Sequence, residues 1–128
     1  MAASKPIVKL AVIKGGGFLK LYGLKNCDSC RKALKALQAA GKSVEFIDLR
    51  ANPVTSDQLG NWLDQHGDDV VVNRKSTTWR GLDDAARQHP ALALLQAHPT
   101  LIKRPVIVTD SASFIGWTAD VRAALGLD

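Results

Sequence analysis

Hydrophobic and polar positions follow two different periods along the first third of the chain. Alternation over residues 18–22 predicts a strand with Leu19 and Leu21 on one face. Over residues 29–40 the apolar positions recur at spacings of three and four, which predicts an amphipathic helix. Residues 44–49 are rich in strand-forming types and predict a second strand. A strand, a helix and a strand in this order predict a βαβ unit with two parallel strands.

The middle of the chain has a helical pattern with clear start and stop signals. Thr55 and Gln58 have the spacing of a capping box, and Gly67 is placed to end that helix. The valines 70–72 predict the buried end of a connection, and two short helices over residues 82–88 and 91–97 each stop before a proline. The middle therefore predicts a helical insertion.

The last part of the chain returns to strands before a final helix. Residues 105–109 and 114–117 predict an antiparallel hairpin, and Thr118 is placed to cap the helix after it. The order β-α-β, helical insertion, β-β-α predicts an α/β, thioredoxin-like fold with a mixed sheet. We expect one domain over residues 18–128, with a helical subdomain at about 53–100, and an N-terminal extension over residues 1–17.

Composition narrows the functional classes. The 128 residues are 46% hydrophobic and 23% charged, as in an ordinary globular domain. The net charge of +5 is mild and scattered among few aromatic residues, which does not favour direct binding of nucleic acid. No apolar run approaches the roughly 18 residues of a membrane span. Two cysteines without a signal peptide predict a reducing, cytoplasmic location.

The two cysteines form a C-x-x-C motif where the first strand passes into the first helix. A helix N-terminus favours the thiolate, so we expect a lowered pKa for Cys27, with help from Lys25 and Arg31 and opposition from Asp28. Cys30 is placed to resolve a mixed disulfide formed on Cys27. Two ordinary buried cysteines, or half of a zinc site, are the alternatives.

Two further stretches favour a site for an anion next to the cysteines. Residues 73–80 contain three cations and three hydroxyl groups, which fits either the lining of an anion pocket or a solvated loop. Pro105 begins a predicted strand although it cannot donate to a sheet. A cis Arg104–Pro105 bond packed beside the cysteines explains this position, and a trans proline that opens an edge strand is the alternative.

Three stretches in this order resemble the arsenate reductase (ArsC)/Spx family, and most closely its YffB-type members, also called arsenate-reductase-like or Spx/MgsR-like. The stretches are residues 22–33, 73–80 and 102–106. The resemblance begins at about residue 18 and runs to the C-terminus, so residues 1–17 lie outside it. It implies a thioredoxin-like fold with a helical subdomain and Cys27 as the nucleophile.

The resemblance also implies roles for several cations. Arginines of the glutaredoxin-coupled arsenate reductases hold the oxyanion and the glutathionylated intermediate, and Arg31, Arg74 and Arg104 match that pattern. With Lys103, Arg74 and Arg104 are placed to pair the two carboxylates of glutathione, next to Pro105. The YffB-type resemblance thus implies a glutathione-dependent thiol reductase. Glutathione is its expected co-substrate, glutaredoxin or protein thiols are its expected partners, and no bound cofactor or metal is expected.

Two alternative functions come from other branches of the same family. The Spx branch implies a redox-sensing transcriptional regulator that binds RNA polymerase. The other alternative is a true glutaredoxin-coupled arsenate reductase. Two departures from the reductase pattern bear on it: Asp28 stands where those reductases have glycine, and residues 114–117 contain no arginine. We expect the Asp28 charge to weaken arsenate binding.

Overall fold

Four strands form one mixed sheet in the computed structural model, which describes residues 18–127. The predicted extension, residues 1–17, lies outside the described residues. The strands are β1 (Phe18–Gly23), β2 (Ser43–Asp48), β3 (Val106–Val108) and β4 (Ser113–Ile115), in the spatial order β2-β1-β3-β4. β1 pairs with β2 in parallel, and β3 pairs antiparallel with both β1 and β4. The predicted βαβ unit, hairpin and α/β thioredoxin-like class are confirmed.

Seven α-helices and one 3-10 turn accompany the sheet within residues 18–127. They are α1 (Asp28–Ala39), α2 (Ser56–His66), α3 (Asp68–Val71), α4 (Thr77–Arg80), α5 (Asp84–Arg87), α6 (Ala91–Ala97), the 3-10 turn Pro99–Leu101 and α7 (Ala119–Ala124). α1 joins the parallel strands, while α2 to α6 separate β2 from β3 as the predicted helical insertion. None of these helices is long and apolar enough to cross a membrane.

Helix starts follow the sequence signals closely. The Gln58 N–H donates to the Thr55 hydroxyl at 3.2 Å, and Thr118 caps α7 by accepting from the Val121 N–H at 3.2 Å. The helix predicted over residues 82–88 is shorter, because the Asp83 carboxylate accepts from the Ala86 N–H and begins α5 there. Capping therefore decides helix ends even where periodicity extends further.

Two short segments differ from the sequence prediction. α4 lies inside the polar stretch 73–80, where the Ser76 hydroxyl accepts the Trp79 N–H at 3.1 Å and starts a single turn. The predicted buried connection over residues 70–72 contains the last residues of α3, after which Val72 bridges Ile102. Val71 and Val72 are buried as predicted, whereas Val70 is exposed, so the predicted burial holds for two of the three valines.

The apolar core divides into two clusters on opposite faces of the sheet. Alternation along β3 sends Ile107 to the cluster under α1 and α7, and Val106 to the cluster under α2 and α6. Cys30 belongs to the first cluster and is fully buried. Cys27 is half-buried and packs against both clusters. The motif therefore sits at the seam between the βαβ unit and the helical insertion.

Candidate active site

Cys27 occupies the N-cap position of α1, as its place in the sequence predicts. Its backbone is extended, with φ −99° and ψ 121°, and its carbonyl accepts the first helical bond from the Arg31 N–H at 3.0 Å. The Cys27 N–H donates to the Leu24 carbonyl at 3.2 Å, which fixes the turn between β1 and α1. This conformation leaves the thiol half-exposed next to the first unpaired N–H groups of the helix.

The surroundings of Cys27 lower the pKa of its thiol, as expected for a nucleophile. Burial alone acts in the opposite direction, since it disfavours the charged thiolate. Hydrogen bonds from the Cys30 backbone N–H and the Cys30 thiol favour the thiolate, and the Arg104 guanidinium favours it by contact and by charge. These contributions together outweigh burial, so the pKa of Cys27 lies below its ordinary value.

Cys30 has the opposite shift. Burial is the largest cause, and the neighbouring Cys27 thiolate adds to it, so the pKa of the Cys30 thiol rises to about 12 despite a bond from the Leu24 backbone and the charge of Arg104. At neutral pH Cys30 therefore remains protonated and serves as a donor to Cys27. Gly23 makes this burial possible, because a Cβ there would overlap the Cys30 Sγ.

Arg104 is held beside Cys27 by the turn before β3. Its Nη1 donates to the Thr100 carbonyl at 2.9 Å, and the Thr100 hydroxyl bonds the Thr78 hydroxyl of α4 at 2.6 Å. The Arg104 Nε is buried and has no hydrogen-bond partner among the described residues. The Arg104 side chain thus connects the thiolate to the helical insertion and retains one donor for a further acceptor.

The Arg104–Pro105 peptide bond is cis, so that prediction is confirmed. Pro105 is fully buried, and its carbonyl accepts the Gly116 N–H at 2.8 Å. Tyr22 of β1 pairs with Val106 of β3, and continuing that antiparallel register sets Pro105 beside Gly23. The proline therefore lies at the end of the sheet from which the chain enters the C-x-x-C motif.

A cavity of about 390 Å³ opens next to Cys27, between the βαβ unit and the helical insertion. Its lining contains four cations and no acidic residue, together with several hydroxyl and amide side chains. The lining residues are Leu24, Asn26, Cys27, Arg50, Asn73, Lys75, Ser76, Thr77, Thr78, Arg80, Thr100 and Arg104. A thiol of lowered pKa, in a lining with four cations and no acidic side chain, suits attack on the sulfur of an anionic substrate.

The cavity does not include all the cations that the sequence pointed to. Arg74 does not line it: the Arg74 guanidinium pairs with Asp69 at 2.6 Å and lies over the Trp79 ring, 5.4 Å from its centroid. Lys103 is exposed and also lies outside the lining; its N–H donates to the Val71 carbonyl at 2.8 Å. The predicted pairing of carboxylates by Arg74 and Lys103 therefore has no support in their placement: the ion pair and ring contact hold Arg74 elsewhere, and Lys103 lies outside the lining.

Arg31 is also outside the cavity. It bonds the Asp28 carboxylate at 2.5 Å and the Lys25 carbonyl at 3.2 Å, on the exposed face of α1 that also carries Lys32 and Lys35. The expected effects of Lys25, Arg31 and Asp28 on the Cys27 pKa do not appear among its causes. Asp28 pairs with Arg31 on this outer face and does not line the cavity, and the expectation that its charge weakens arsenate binding stays a prediction.

Arg50 and Thr100 line the cavity although the sequence did not single them out. Arg50 follows β2 by two positions, and the motif follows β1 by a few. Because parallel strands bring their carboxyl ends to the same edge of a sheet, the βαβ prediction contained a signal for Arg50. Thr100 gave no comparable signal, since it acts through tertiary contacts. No group of three or more possible metal ligands occurs within residues 18–127.

Comparison with known proteins decides the family. The ArsC family model matches residues 22–124, which is most of the chain. The chain belongs to the ArsC family. The predicted resemblance to the arsenate reductase (ArsC)/Spx family is confirmed, and the match covers Cys27, Cys30 and all four cations that line the cavity.

Similar proteins found in these comparisons carry different names. An uncharacterized protein of Haemophilus influenzae is 40% identical over 103 residues, or 77% of this chain and 90% of that protein. The solved structure of a YffB protein is 34% identical with a TM-score of 0.78, covering 84% of this chain and 97% of that one. A solved structure described as a possible arsenate reductase from Streptococcus mutans UA159 is 30% identical, with a TM-score of 0.69 and coverage of 83% and 97%.

Transcriptional regulators also occur among the relatives. The global transcriptional regulator Spx of Listeria innocua is 26% identical over 105 residues, which cover 78% of this chain and 80% of Spx. The ArsC family therefore includes proteins named as reductases and proteins named as regulators, so membership alone does not assign a reaction.

Proposed function

We propose that this ArsC-family protein is a glutathione-dependent thiol–disulfide oxidoreductase with Cys27 as its nucleophile. The observation that carries the proposal is the opposite treatment of the two thiols: the Cys27 pKa is lowered beside a cationic cavity, while the Cys30 pKa is raised in the core. Such a pair separates an attacking thiolate from a neutral donor. The proposal places the reaction in the reducing cytoplasm, where glutathione is abundant as a co-substrate.

The first step is attack by the Cys27 thiolate on the glutathione sulfur of a mixed disulfide between glutathione and a substrate thiol. The Cys27–glutathione S–S bond forms as the original S–S bond breaks, and the departing substrate thiolate takes a proton from water. In the second step another thiolate attacks the glutathione sulfur of the Cys27–glutathione disulfide. This attack releases Cys27 as a thiolate. Disulfide exchange of this kind conserves electrons, so the reduction of one mixed disulfide to the substrate thiol consumes one glutathione thiol and yields one glutathione disulfide.

The raised pKa of Cys30 indicates which thiol performs the second step. With a pKa of about 12, only about one Cys30 in 10⁵ is ionised at pH 7. Loss of the Cys27 charge in the mixed disulfide removes one cause of the shift, but burial remains the largest cause. We therefore assign the second step to free glutathione or a glutaredoxin, and the role of hydrogen-bond donor to Cys30.

Matched substitutions of the two cysteines test the proposal. Reduction of a glutathionylated peptide, coupled to glutathione reductase, is measured for the wild type, Cys27→Ser and Cys30→Ser. We expect background turnover for Cys27→Ser and a partial loss of turnover for Cys30→Ser. Omission of glutathione from the assay should abolish turnover. Activity of Cys27→Ser equal to the wild type would exclude the proposed mechanism.

A redox-sensing regulator that acts through RNA polymerase is the second candidate. The Spx relatives favour it, as does a second cysteine that reaches Cys27 across one turn. Oxidation to a Cys27–Cys30 disulfide is the signal in this case. Capture of the RNA polymerase α subunit by the oxidised or the reduced protein tests it, and absence of binding in both states removes this candidate.

Arsenate reduction in the same cavity is the third candidate, and it is tested in parallel. The placement of the Asp28 carboxylate, which pairs with Arg31 outside the lining, supports this candidate. Turnover of arsenate with glutathione and glutaredoxin is compared with the same mixture lacking the protein. A rate equal to that control excludes arsenate as a substrate.

A further inference from the structure

We infer that Arg50, Lys75 and Arg80 form a carboxylate-binding subsite through which the cavity selects glutathione over uncharged disulfides. The inference rests on the proposed function, and it deepens that proposal by naming the residues that recognise the non-reacting part of the substrate. None of the three was expected to bind glutathione from the sequence. Their role follows from how charge is distributed around the cavity.

The cavity contains more positive charge than its thiolate requires. Arg104 contacts Cys27 and, together with the Cys30 donors, favours its thiolate form. The other three cations line the same cavity, where no acidic side chain opposes them. The side chains of Arg50 and Lys75 have no acidic partner within the described part of the chain, whereas Arg31, Arg74 and Arg87 elsewhere are all paired. Unpaired cations around a concave surface are typical of an anion-binding site.

The size of the cavity matches a tripeptide better than a small oxyanion. Its volume of about 390 Å³ lies within the range of sites that enclose small organic ligands. A single oxyanion bound at Cys27 and Arg104 leaves the three other cations without a counter-charge. Glutathione carries two carboxylates at its ends and its sulfur between them. One ligand of this form can pair the distal cations while its sulfur meets Cys27.

The backbone that presents these cations is fixed before any ligand binds. Arg50 follows the fully buried Leu49, whose N–H donates to the Gly23 carbonyl at 3.0 Å. The Arg80 Nη1 donates to the Lys75 carbonyl at 3.1 Å, which holds those two residues together across α4. The Asn73 N–H donates to the Leu101 carbonyl at 2.8 Å and ties the same loop to the core. A preformed arrangement lowers the ordering cost of binding.

Two disulfides of different charge distinguish the binding of carboxylates from the reactivity of the Cys27 thiol. The reduced full-length protein is mixed with glutathione disulfide or with bis(2-hydroxyethyl) disulfide, which is uncharged. The second-order rate of mixed-disulfide formation on Cys27 is followed by acid quench and mass spectrometry. The variants are Arg50→Gln, Lys75→Gln and Arg80→Gln, with Arg50→Lys to keep the charge. Lys35→Gln, on the outer face of α1, is the matched control.

The expected result is a loss that depends on substrate charge. Each glutamine variant should lower the rate with glutathione disulfide about fivefold and the rate with the uncharged disulfide less than about twofold, since an exposed charge pair contributes modestly. Arg50→Lys should retain most of the rate, and Lys35→Gln should match the wild type with both disulfides.

The outcomes distinguish the subsite from the proposed function. The subsite is excluded if the glutamine variants react with glutathione disulfide as fast as the wild type, or if their rates fall equally with both disulfides. Either result leaves the proposed reaction of Cys27 intact. If the wild-type protein forms no mixed disulfide with either compound, the proposed function fails and the subsite fails with it.

Discussion

The cavity around Cys27 and the core around Cys30 are one helical turn apart. Each surrounds a cysteine thiol, yet the pKa of the thiol is lowered in the first and raised in the second. Cys27 is half-buried at a helix N-terminus beside Arg104, and its pKa falls. Cys30 is fully buried against Gly23 among apolar side chains, and its pKa rises to about 12. The two cysteines share one motif, so the difference comes from which side of α1 each faces.

The comparison shows that the chemistry of a C-x-x-C motif depends on what the fold brings to each side of it. Burial acts against ionisation at both thiols. At Cys27 donors and a cation overcome burial, whereas at Cys30 the negative charge of the neighbouring thiolate adds to it. The thiolate form is thereby favoured at one cysteine, and the other cysteine is kept neutral so that it can donate.

The largest effect is expected from a substitution that crowds Cys30, on the core side of the C-x-x-C motif. Gly23→Ala adds a methyl group that overlaps the Cys30 Sγ and lies 3.0 Å from the Cys30 Cβ. Such overpacking costs about 1–3 kcal/mol. Urea unfolding under reducing conditions should show this loss in the free energy of unfolding.

Gly60→Ala is the matched control for that substitution. Gly60 lies inside α2, and nothing lies within 4 Å of a Cβ built there. Because alanine is the better helix former, this variant should be more stable than the wild type by up to about 1 kcal/mol. Equal stability of Gly23→Ala and the wild type would contradict the tight contact between Gly23 and Cys30.

The next largest effect is expected on the pKa and reactivity of Cys27, on the cavity side of the motif. Arg104→Gln removes the cation that favours the Cys27 thiolate, so the pKa of Cys27 should rise and its reaction with iodoacetamide at pH 7 should slow about tenfold. Arg31→Gln, on the outer face of α1, should have a smaller effect. The measurement is the alkylation rate of Cys27 across pH in a Cys30→Ser background. If both substitutions slow the alkylation of Cys27 equally, the distinction between the cavity and the outer face of α1 is contradicted.

A third effect appears in the dependence of stability on pH. Cys30 keeps its proton in the folded protein up to about pH 12, while the unfolded chain loses it near pH 9.0. The unfolded state therefore binds fewer protons above pH 9.0, and stability falls as pH rises, by at most about 1.4 kcal/mol per pH unit. The lowered pKa of Cys27 has the opposite sign: its contribution is present above the unfolded pKa and is lost as pH falls.

The test compares wild-type protein with Cys30→Ser by urea unfolding at several pH values above 9.0. The wild type should lose more stability over this range than the variant. Tyr22, whose pKa is raised by burial and then by Glu45, titrates in both proteins and cancels in the difference. Parallel curves for the two proteins would contradict the raised pKa of Cys30.

Much of the fold was predictable because it depends on local patterns. Alternation placed Leu19 and Leu21 in the core, and both are buried. Thr55 and Thr118 cap the helices that the sequence assigned to them. A helix start or a strand face is set by residues a few positions apart, so one short stretch contains the whole signal.

The candidate site was only partly predictable, because its walls come from separate parts of the chain. The sequence directed attention to Cys27 and Arg104, and the structure brings those two together. It gave equal weight to Arg74 and Arg31, but ion pairs and a ring contact draw these side chains away from the cavity. The direction of a long cation depends on partners that one-dimensional order does not reveal.

By itself, the sequence determined the βαβ unit, the helical insertion, the hairpin and the position of a thiol at a helix start. Tertiary structure alone decided that Cys27 faces a cationic cavity and that Cys30 faces the core. It also decided that Arg50, rather than Arg74, lines that cavity. Local structure follows from neighbouring residues, whereas a pKa or a binding surface follows from every group that the fold brings within a few ångströms.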